Sequence, residues 1–367
     1  MANGQNSQKR PTAANTKAKK KKKSKIVLLV LELVVVAALV AALWVLKDFG
    51  TSEGPQLNVE ISEKDLEINT PVQENEVMKG YRNIALFGVD SRSGALTKGT
   101  LSDCIIIASI NQDTGDVKLV SVYRDTYLNL GNDKYSKCNS AYSYGGAEQA
   151  LKMLNMNLDM DIKEFVTIGF EGLAAAVDAL GGVYLDVDEE ELKHINNYQK
   201  CMAEDLKVSW EPVENTGYQL LNGLQATAYC RIRYRKGNDF ARAASQRELI
   251  QAIIAEARKK DLSTLTKVVN DVSSYIYTSF SVEDVIALLP DLPKYSIVDE
   301  GGFPEASMRG SSTLGSKGSC VYPINLTENV TWLHEFLFDE TGYDPSDEVK
   351  SNSKVIHDFV SQYTNID

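Results

Sequence analysis

The sequence predicts an α/β layered domain that follows one membrane-spanning helix. From residue 80 onward, short apolar runs bounded by turn residues alternate with helical apolar patterns, which is typical of a layered α/β fold. Ahead of this region, residues 26–46 form an apolar run of 21 positions that only Glu32 interrupts. A helix of roughly 20 apolar residues is long enough to cross the hydrocarbon of a bilayer.

The charges that flank the apolar run predict its orientation. Residues 1–25 contain nine Lys and Arg and no acid, and such cations mark the cytoplasmic side of membrane helices. We therefore expect a basic cytoplasmic tail over 1–25, an uncleaved transmembrane helix over 26–47 and an external chain beyond it. The alternative is a cleaved signal peptide, whose apolar region is about 7–15 residues long and ends at small residues. Bulky Trp44 and Leu46 stand at that end here.

The composition of the remaining chain argues against two classes of protein. Beyond residue 25 there are 30 Lys and Arg against 50 Asp and Glu, whereas a nucleic-acid reader concentrates positive charge on its folded part. None of the three histidines lies near Cys or Glu at metal-ligand spacing, which argues against a structural zinc site. The five cysteines could form two disulfides in an external protein, but the sequence does not assign the pairs.

The elements are predicted from apolar period and turn residues, in chain order. Residues 48–79 are polar and irregular and are expected to form an external tether. Apolar runs at 83–89, 104–110 and 116–122 predict strands, and the turn residues between the last two predict a hairpin. Further strands are predicted at 165–169, 183–187, 227–232 and 295–298, and helices at 146–154, 171–180, 188–220 (several short ones), 240–259, 262–277, from 281 onward and 329–338.

Charged side chains gather at the ends of these elements, where α/β folds place their active sites. Asp90 and Arg92 directly follow the first strand. Asp103 precedes the second strand and Arg124 follows the third, so antiparallel pairing brings these two residues to one edge of the sheet. We therefore expect an acid and an arginine that are far apart in sequence to be neighbours in space.

A second group of polar side chains follows later in the chain and is mostly cationic. It consists of Arg231, Arg233, Arg235, Arg242, Gln246 and Arg247. Residues at period two share one face wherever the backbone is extended, and residues at i and i+4 share one face of a helix. Guanidinium forks suit phosphate oxygens, and helix N-termini favour anions. With the hard oxygen ligands of Asp90 and Asp103, the set predicts a site for a Mg²⁺-bridged phosphate. The alternative is that the acids cap helices and the arginines form ordinary surface ion pairs.

Two apolar helical stripes allow two interpretations. The first covers residues 173–180, and the second contains Ile250, Ile253 and Ile254. They could line a tunnel for a polyprenyl chain, but a helical apolar stripe is more often plain core.

The same residues resemble the LytR-CpsA-Psr (LCP) family of bacterial cell-wall proteins. The matching stretches are 86–92 (LFGVDSR), 102–107, 114–121, 124–126, 139–146, 170–172, 177–183, 221–226, 229–233 and 239–247, in the family's order. Together they cover about 82–257. At four positions inside this region the chain departs from the usual residue, with Cys104 for Thr, Tyr123 for Pro, Ala241 for Gly and Cys138 where a small or apolar residue is usual. None of these departures removes a charged group.

The resemblance implies a fold, a reaction and a set of ligands. The fold is a three-layer α/β/α sandwich outside the membrane, with a catalytic domain over 80–260 and, we expect, a helical extension over 261–367 packed on it. The reaction is transfer of an anionic glycopolymer, such as teichoic acid or capsular polysaccharide, from undecaprenyl pyrophosphate to peptidoglycan, with Mg²⁺ at the pyrophosphate.

Carried onto this chain, the resemblance assigns a role to each charged residue. Asp90 and Asp103 would hold the Mg²⁺, directly or through water. Our own hypothesis for the mechanism makes Asp103 the acceptor of the hydroxyl proton and counts Asp90 and Arg124 with it as catalytic residues. The pyrophosphate is bound by Arg92, Arg124, Arg231, Arg233, Arg242, Gln246 and Arg247.

Two other functions use the same residues. One is hydrolysis of the polyprenyl pyrophosphate with water as the acceptor. The other is non-enzymatic binding of lipid-linked glycans by a regulator of wall assembly. Covalent catalysis is not indicated, because the sequence contains no GxSxG motif and no nearby Ser–His or Cys–His arrangement.

Overall fold

A mixed six-stranded sheet forms the centre of the fold. The computed structural model describes residues 57–91, 95–234 and 236–366. Its strands are β1 (Tyr81–Val89), β2 (Ser102–Asn111), β3 (Asp116–Val122), β4 (Tyr127–Asn129), β5 (Tyr135–Lys137), β6 (Glu164–Gly169), β7 (Val183–Val187), β8 (Gly217–Leu221), β9 (Ile276–Thr278), β10 (Ser296–Phe303), β11 (Arg309–Thr313) and β12 (Ser319–Pro323). The central order is β10-β3-β2-β1-β6-β9, and β4–β5, β7–β8 and β11–β12 form separate two-stranded sheets.

Strand direction brings several element ends to one edge of this sheet. β1 pairs antiparallel with β2, and β2 antiparallel with β3, so the predicted hairpin is confirmed. β6 runs parallel to β1, and β10 runs parallel to β3. The ends of β1, β3, β6 and β10 therefore lie at the same edge as the start of β2.

Helices cover both faces of the sheet and complete three layers. They are α1 (Thr70–Gln73), α2 (Ser140–Leu158), α3 (Phe170–Ala179), α4 (Glu189–Leu206), α5 (Gly223–Tyr229), α6 (Asn238–Ala257), α7 (Leu262–Val272), α8 (Val282–Leu288), α9 (Leu326–Phe338) and α10 (Asp347–Val360). Successive residues of β1 point to opposite faces. Ile84 and Leu86 join one core with α3, α6 and α7, whereas Ala85 and Phe87 join a second core with α2, α9 and α10. This arrangement is the expected α/β/α sandwich.

The N-terminal predictions are partly wrong and partly outside the described residues. From residue 57 the expected tether packs on the domain, because Leu66, Val72 and Met78 are buried. Asn69 also donates a hydrogen bond to buried Asp159 at 2.5 Å. The cytoplasmic tail and the transmembrane helix, predicted over 1–25 and 26–47, lie outside the described residues. Within the described residues, no helix is both long enough and apolar enough to cross a membrane.

The strand predicted at 227–232 is wrong, since α5 occupies its first half. The Asn222 side chain accepts from the backbone N–H of Gln225, and the Gln225 side chain accepts in return from the N–H of Asn222. This capping box starts a helix that overrides the β propensity of the following residues. In the same way, Asp188 caps a single 18-residue helix where short helices were expected at 188–220. The capping box predicted at Ser281 does begin α8.

The boundary expected at residue 260 is not a boundary of the fold. β9 and β10 lie beyond it and are the two edge strands of the central sheet. The strand expected at 295–298 extends to Phe303, which is fully buried. The C-terminal third is thus built into the domain and is not a helical addition. All five cysteines are free thiols.

Candidate active site

Asp103 lies at the start of β2 and is held by two arginines. Its Oδ1 accepts from Arg124 Nη1 at 2.8 Å, and its Oδ2 accepts from Arg233 Nη2 at 2.7 Å. The Asp103 side chain is 14% exposed, and hydrogen bonds between charged groups are strongest where water is scarce. The expectation that Asp103 and Arg124 are neighbours is confirmed.

Asp90 and Arg231 form a looser pair at the same edge. Asp90 follows β1, and its Oδ2 lies 3.8 Å from Arg231 Nη2. The Arg231 guanidinium lies 3.8 Å from the ring centroid of Phe170, the first residue of α3. The face of an aromatic ring attracts a guanidinium that lies over it. The N–H groups at the edge of the guanidinium stay free to bind oxygen atoms. Phe170 was not predicted as a site residue, although its position after β6 places it at this edge.

The start of α6 supplies the third acid, Asp239, and the fourth arginine, Arg242. Asp239 Oδ2 accepts from Arg124 Nε at 3.1 Å, and its Oδ1 lies 3.3 Å from Arg242 Nη2. Burial alone would raise the pKa of Asp239, but Arg242, a hydrogen bond with the Asp125 side chain and Arg124 together outweigh it and lower that pKa. Burial alone would lower the pKa of Arg124, but Asp103 and Asp239 raise it. Arg124 therefore links two carboxylates from different elements.

A charged cavity of about 610 Å³ opens over these side chains. Asp90, Asp103, Arg124 and Arg233 line this cavity together with Ala95 and residues 98–101. Two acids and two arginines in one open cavity can accommodate a phosphate group together with a divalent cation.

A narrow apolar cavity of about 70 Å³ meets the charged cavity at Asp103, which lines both. Its walls include Leu173, Ile250 and Ile253, three members of the predicted tunnel stripes. The other stripe residues Val177, Leu180 and Ile254 pack in the core, so only part of each stripe lines the cavity.

Cys104 and Cys230 also line this cavity, and burial raises the pKa of both thiols to about 12. Because the thiolate is the nucleophilic form, neither cysteine is suited to covalent catalysis near neutral pH.

The remaining predicted residues divide between the site and its surroundings. Gln246 lines the apolar cavity together with Asp103. Arg242, with 4% exposure, is held behind the site by Asp239. Arg247 lines neither of these two cavities. It donates to Ser121 Oγ at 2.6 Å and faces Glu300 at 3.4 Å, which assigns it to the edge between β3 and β10 and not to the expected phosphate site. Arg92 and Arg235 lie outside the described residues.

The two acids fit a magnesium ion only together with a phosphate. Among the described residues, no three His, Cys, Asp or Glu side chains are grouped to hold a metal. Mg²⁺ usually binds through one or two carboxylates plus substrate phosphate oxygens. Asp90 and Asp103, which both line the charged cavity, meet that requirement, because a diphosphate in the cavity would supply the missing ligands.

A model of the LytR_cpsA_psr family matches residues 52–314 of the chain. Among similar proteins is the polyisoprenyl-teichoic acid–peptidoglycan teichoic acid transferase TagU of Enterococcus faecalis, which is 30% identical over 207 residues. That alignment covers 55% of this chain and 63% of TagU, so the chain spans somewhat less than two thirds of this relative's length.

Two solved structures share the fold. One is an E. faecalis protein described as a transcriptional regulator, with a TM-score of 0.60 at 21% identity over 79% of this chain and 99% of that one. The other is the LytR-CPS2A-psr family protein YwtF (TagT) with bound octaprenyl pyrophosphate lipid, with a TM-score of 0.54 at 21% identity over 76% and 99%. At these identities the likeness shows the fold alone.

Proposed function

The chain belongs to the LytR_cpsA_psr family, and we propose that it is a phosphotransferase of the bacterial cell surface. Its donor is an anionic glycopolymer, a teichoic acid or capsular polysaccharide, carried on undecaprenyl pyrophosphate, and its acceptor is peptidoglycan. The relative TagU is named for transfer of a teichoic acid from a polyisoprenyl carrier to peptidoglycan, and YwtF was solved with a polyprenyl pyrophosphate. The basic N-terminal tail and the apolar run after it support a membrane anchor that leaves this domain outside the cell.

One observation carries the proposal, namely that Asp103 lies where a charged cavity meets an apolar one. A lipid-linked diphosphate has the same two parts in the same order. Its isoprenoid chain fits walls formed by Leu173, Ile250 and Ile253, while its diphosphate fits the arginine-lined cavity. The narrow apolar cavity must widen to accept the chain.

The reaction exchanges the phosphoanhydride bond of the donor for a phosphate ester bond to the acceptor. The acceptor hydroxyl oxygen bonds to the glycan-side phosphorus, and the bond from that phosphorus to the bridging oxygen breaks. The electron pair leaves with polyprenyl phosphate, and the hydroxyl proton passes to Asp103. Arg231 and Arg233 neutralise the charge that develops on the phosphoryl oxygens. Such electrostatic stabilisation of the transition state is usually the largest contribution of an active site to the rate.

Mg²⁺ bound by Asp90 and Asp103 would add further neutralisation of the diphosphate. Arg124 then has a positioning task, because it holds Asp103 from one side and Asp239 from the other. Arg233 approaches the second oxygen of Asp103 from the turn after α5.

The test is an incubation of the full chain in detergent with a synthetic polyprenyl-pyrophosphate-linked glycan and Mg²⁺, with and without peptidoglycan. A transferase yields glycan-phosphate on peptidoglycan and equimolar polyprenyl phosphate, and yields little without the acceptor. A hydrolase releases polyprenyl phosphate equally in both mixtures. A binder retains the intact donor in both. Either of the last two results overturns the proposal.

A further inference from the structure

The turn that carries Arg124 is held in place by the C-terminal part of the chain. Tyr123, which precedes Arg124, donates its backbone N–H to the carbonyl of Phe303 at 3.0 Å. Asp125, which follows Arg124, accepts at its backbone oxygen from the N–H of Val321 at 2.9 Å. Two strands that lie beyond the predicted domain boundary, β10 and β12, therefore fix the backbone on both sides of Arg124.

A third contact comes from the side chain of Arg309, the first residue of β11. Its guanidinium carbon lies 3.9 Å from the ring centroid of Phe240 and 4.8 Å from that of Tyr123. The two rings meet edge to face, with centroids 4.6 Å apart at 83°. Arg309 Nη1 also donates to the Tyr123 hydroxyl at 3.0 Å and to the carbonyl of Pro304 at 3.1 Å.

This aromatic clamp, formed by Tyr123, Phe240 and Arg309, joins two parts of the active site. Tyr123 is adjacent to Arg124, and Phe240 is adjacent to Asp239. Arg124 and Asp239 are themselves joined by the 3.1 Å hydrogen bond described above. The clamp thus restrains both backbones that carry this bond.

The glycine at position 302 shows that the fold makes room for the Tyr123 ring. A Cβ at this position would lie 2.0 Å from the Tyr123 hydroxyl oxygen, a separation that no side chain tolerates. The Tyr123 ring is therefore accommodated by Gly302 and bound by Arg309.

We propose that Arg309 is a positioning residue of the active site. It acts through the clamp to keep Arg124 and Asp239 in hydrogen-bonding contact. This inference rests on the proposed phosphotransferase function for its effect on turnover, but its structural part stands independently. The contacts of Arg309 are with Tyr123, Phe240 and Pro304 and not with Arg124 or Asp239, so its effect must pass through the two rings and the backbones next to them. A cation over two rings restrains their relative position, because displacement of either ring loses part of the attraction.

The experiment compares substitutions in the full chain. Arg309→Met keeps the length of the side chain but removes its charge and its hydrogen-bond donors. Arg309→Lys keeps the charge, and Tyr123→Phe removes only the hydroxyl. Arg82→Met is the matched control. Arg82 lies at the opposite end of β1, pairs with Glu164, and has its guanidinium 5.5 Å from the Phe280 ring.

We expect Arg309→Met to lower kcat about tenfold while the KM for the lipid-linked donor stays within twofold. The kcat of Arg309→Lys should be only about threefold below that of wild type, because the cation stays over the rings. Tyr123→Phe in the Arg309→Met background should cause no further loss, because both changes break the same contact. Arg82→Met should lower the melting temperature at least as much and leave kcat unchanged.

Hydrogen exchange supplies a measurement that does not depend on activity. The backbone N–H of Thr126 donates to the carbonyl of Tyr123, and the backbone N–H of Phe240 donates to the carbonyl of Gly237. Both should exchange at least threefold faster in Arg309→Met and at the wild-type rate in Arg82→Met. Unchanged exchange at both amides overturns the proposal, as does a loss of kcat that merely follows the melting temperature in all variants. A wild-type chain that transfers nothing refutes the proposed function, and the exchange rates then decide on the clamp by themselves.

Discussion

Arg233 and Asp103 lie 130 positions apart in the sequence, and their side chains meet at 2.7 Å where the charged cavity joins the apolar one. Arg233 follows α5 on one face of the sheet, whereas Asp103 belongs to a central strand. Their contact places a cation from the helical layer at the edge where the strands end. The phosphate site therefore depends on the packing of α5 and α6 against the sheet as well as on the order of the strands.

We predict that Arg124→Lys lowers turnover about a hundredfold. Arg124 uses Nη1 for Asp103 and Nε for Asp239, and a lysine ammonium, as a single point charge on a flexible stem, cannot reproduce that fork. Loss of one positioned donor in an active site typically costs 10²–10³ in rate. Steady-state kinetics measure the effect, with Arg82→Lys as the control at a remote ion pair. Turnover within threefold of wild type would show that the double contact is unimportant.

We predict that Leu173→Trp weakens binding of long-chain donors specifically. Leu173 lines the narrow apolar cavity, and an indole there would occupy space that the isoprenoid chain needs. The dissociation constant of an eight-isoprene pyrophosphate should rise at least tenfold, whereas that of a two-isoprene pyrophosphate should change less than twofold. Titration calorimetry with both lipids tests this. Equal weakening for both lipids would place the isoprenoid chain elsewhere.

We predict a pH-dependent contribution of Asp239 to stability. Burial alone would raise the pKa of Asp239, but Arg242, a hydrogen bond with the Asp125 side chain and Arg124 together lower it below its unfolded value. Its stabilisation is therefore complete above the unfolded pKa of about 3.9 and is lost as the pH falls through the lower folded value. Urea denaturation should show Asp239→Asn less stable than wild type by about 1 kcal/mol at pH 6. The difference should shrink below pH 4, and a difference that grows in acid would contradict the sign.

We predict that Gly146→Ala destabilises the domain by about 2 kcal/mol or more, because a left-handed backbone and a steric clash both oppose it. Gly146 has φ +68°, and a Cβ there would lie 2.1 Å from the carbonyl oxygen of Thr97. Thr97 is followed by Lys98, which lines the charged cavity, so donor binding should weaken as well. Gly80→Ala is the control, since a Cβ at that position would meet no atom within 4 Å beyond its chain neighbours. Denaturation curves that shift equally for both variants would refute the close approach as the cause.

The positions of Asp90, Asp103 and Arg124 could be predicted because the pairing of their strands is encoded locally in the sequence. The apolar runs around Asp103 and Arg124 alternate with clear turn residues, and a hairpin leaves only one edge at which its two outer ends can meet. Asp90 was found by the same reasoning, from its position directly after a buried strand.

The later part of the site was harder to predict because its contacts are tertiary. Arg231 and Arg233 reach the acids from an irregular turn after α5 and not from a strand, so period-two spacing explains neither contact. Arg247 has the same residue type as its neighbours, but its partner Glu300 belongs to an edge strand of weak apolar pattern. Nothing local in the sequence indicates that β10 pairs with β3, and the role of the C-terminal third follows only from that pairing.

The most direct test of the central claim is the transfer rate of Asp103→Asn in the full chain, measured with the lipid-linked donor, peptidoglycan and Mg²⁺. The substitution keeps the shape of the side chain but removes the charge that Arg124 and Arg233 share. We predict a loss of at least a thousandfold in transfer, with donor affinity changed less than tenfold and the fold retained by circular dichroism. Transfer by Asp103→Asn at the wild-type rate would contradict the claim that these acids and guanidinium groups act together on one diphosphate.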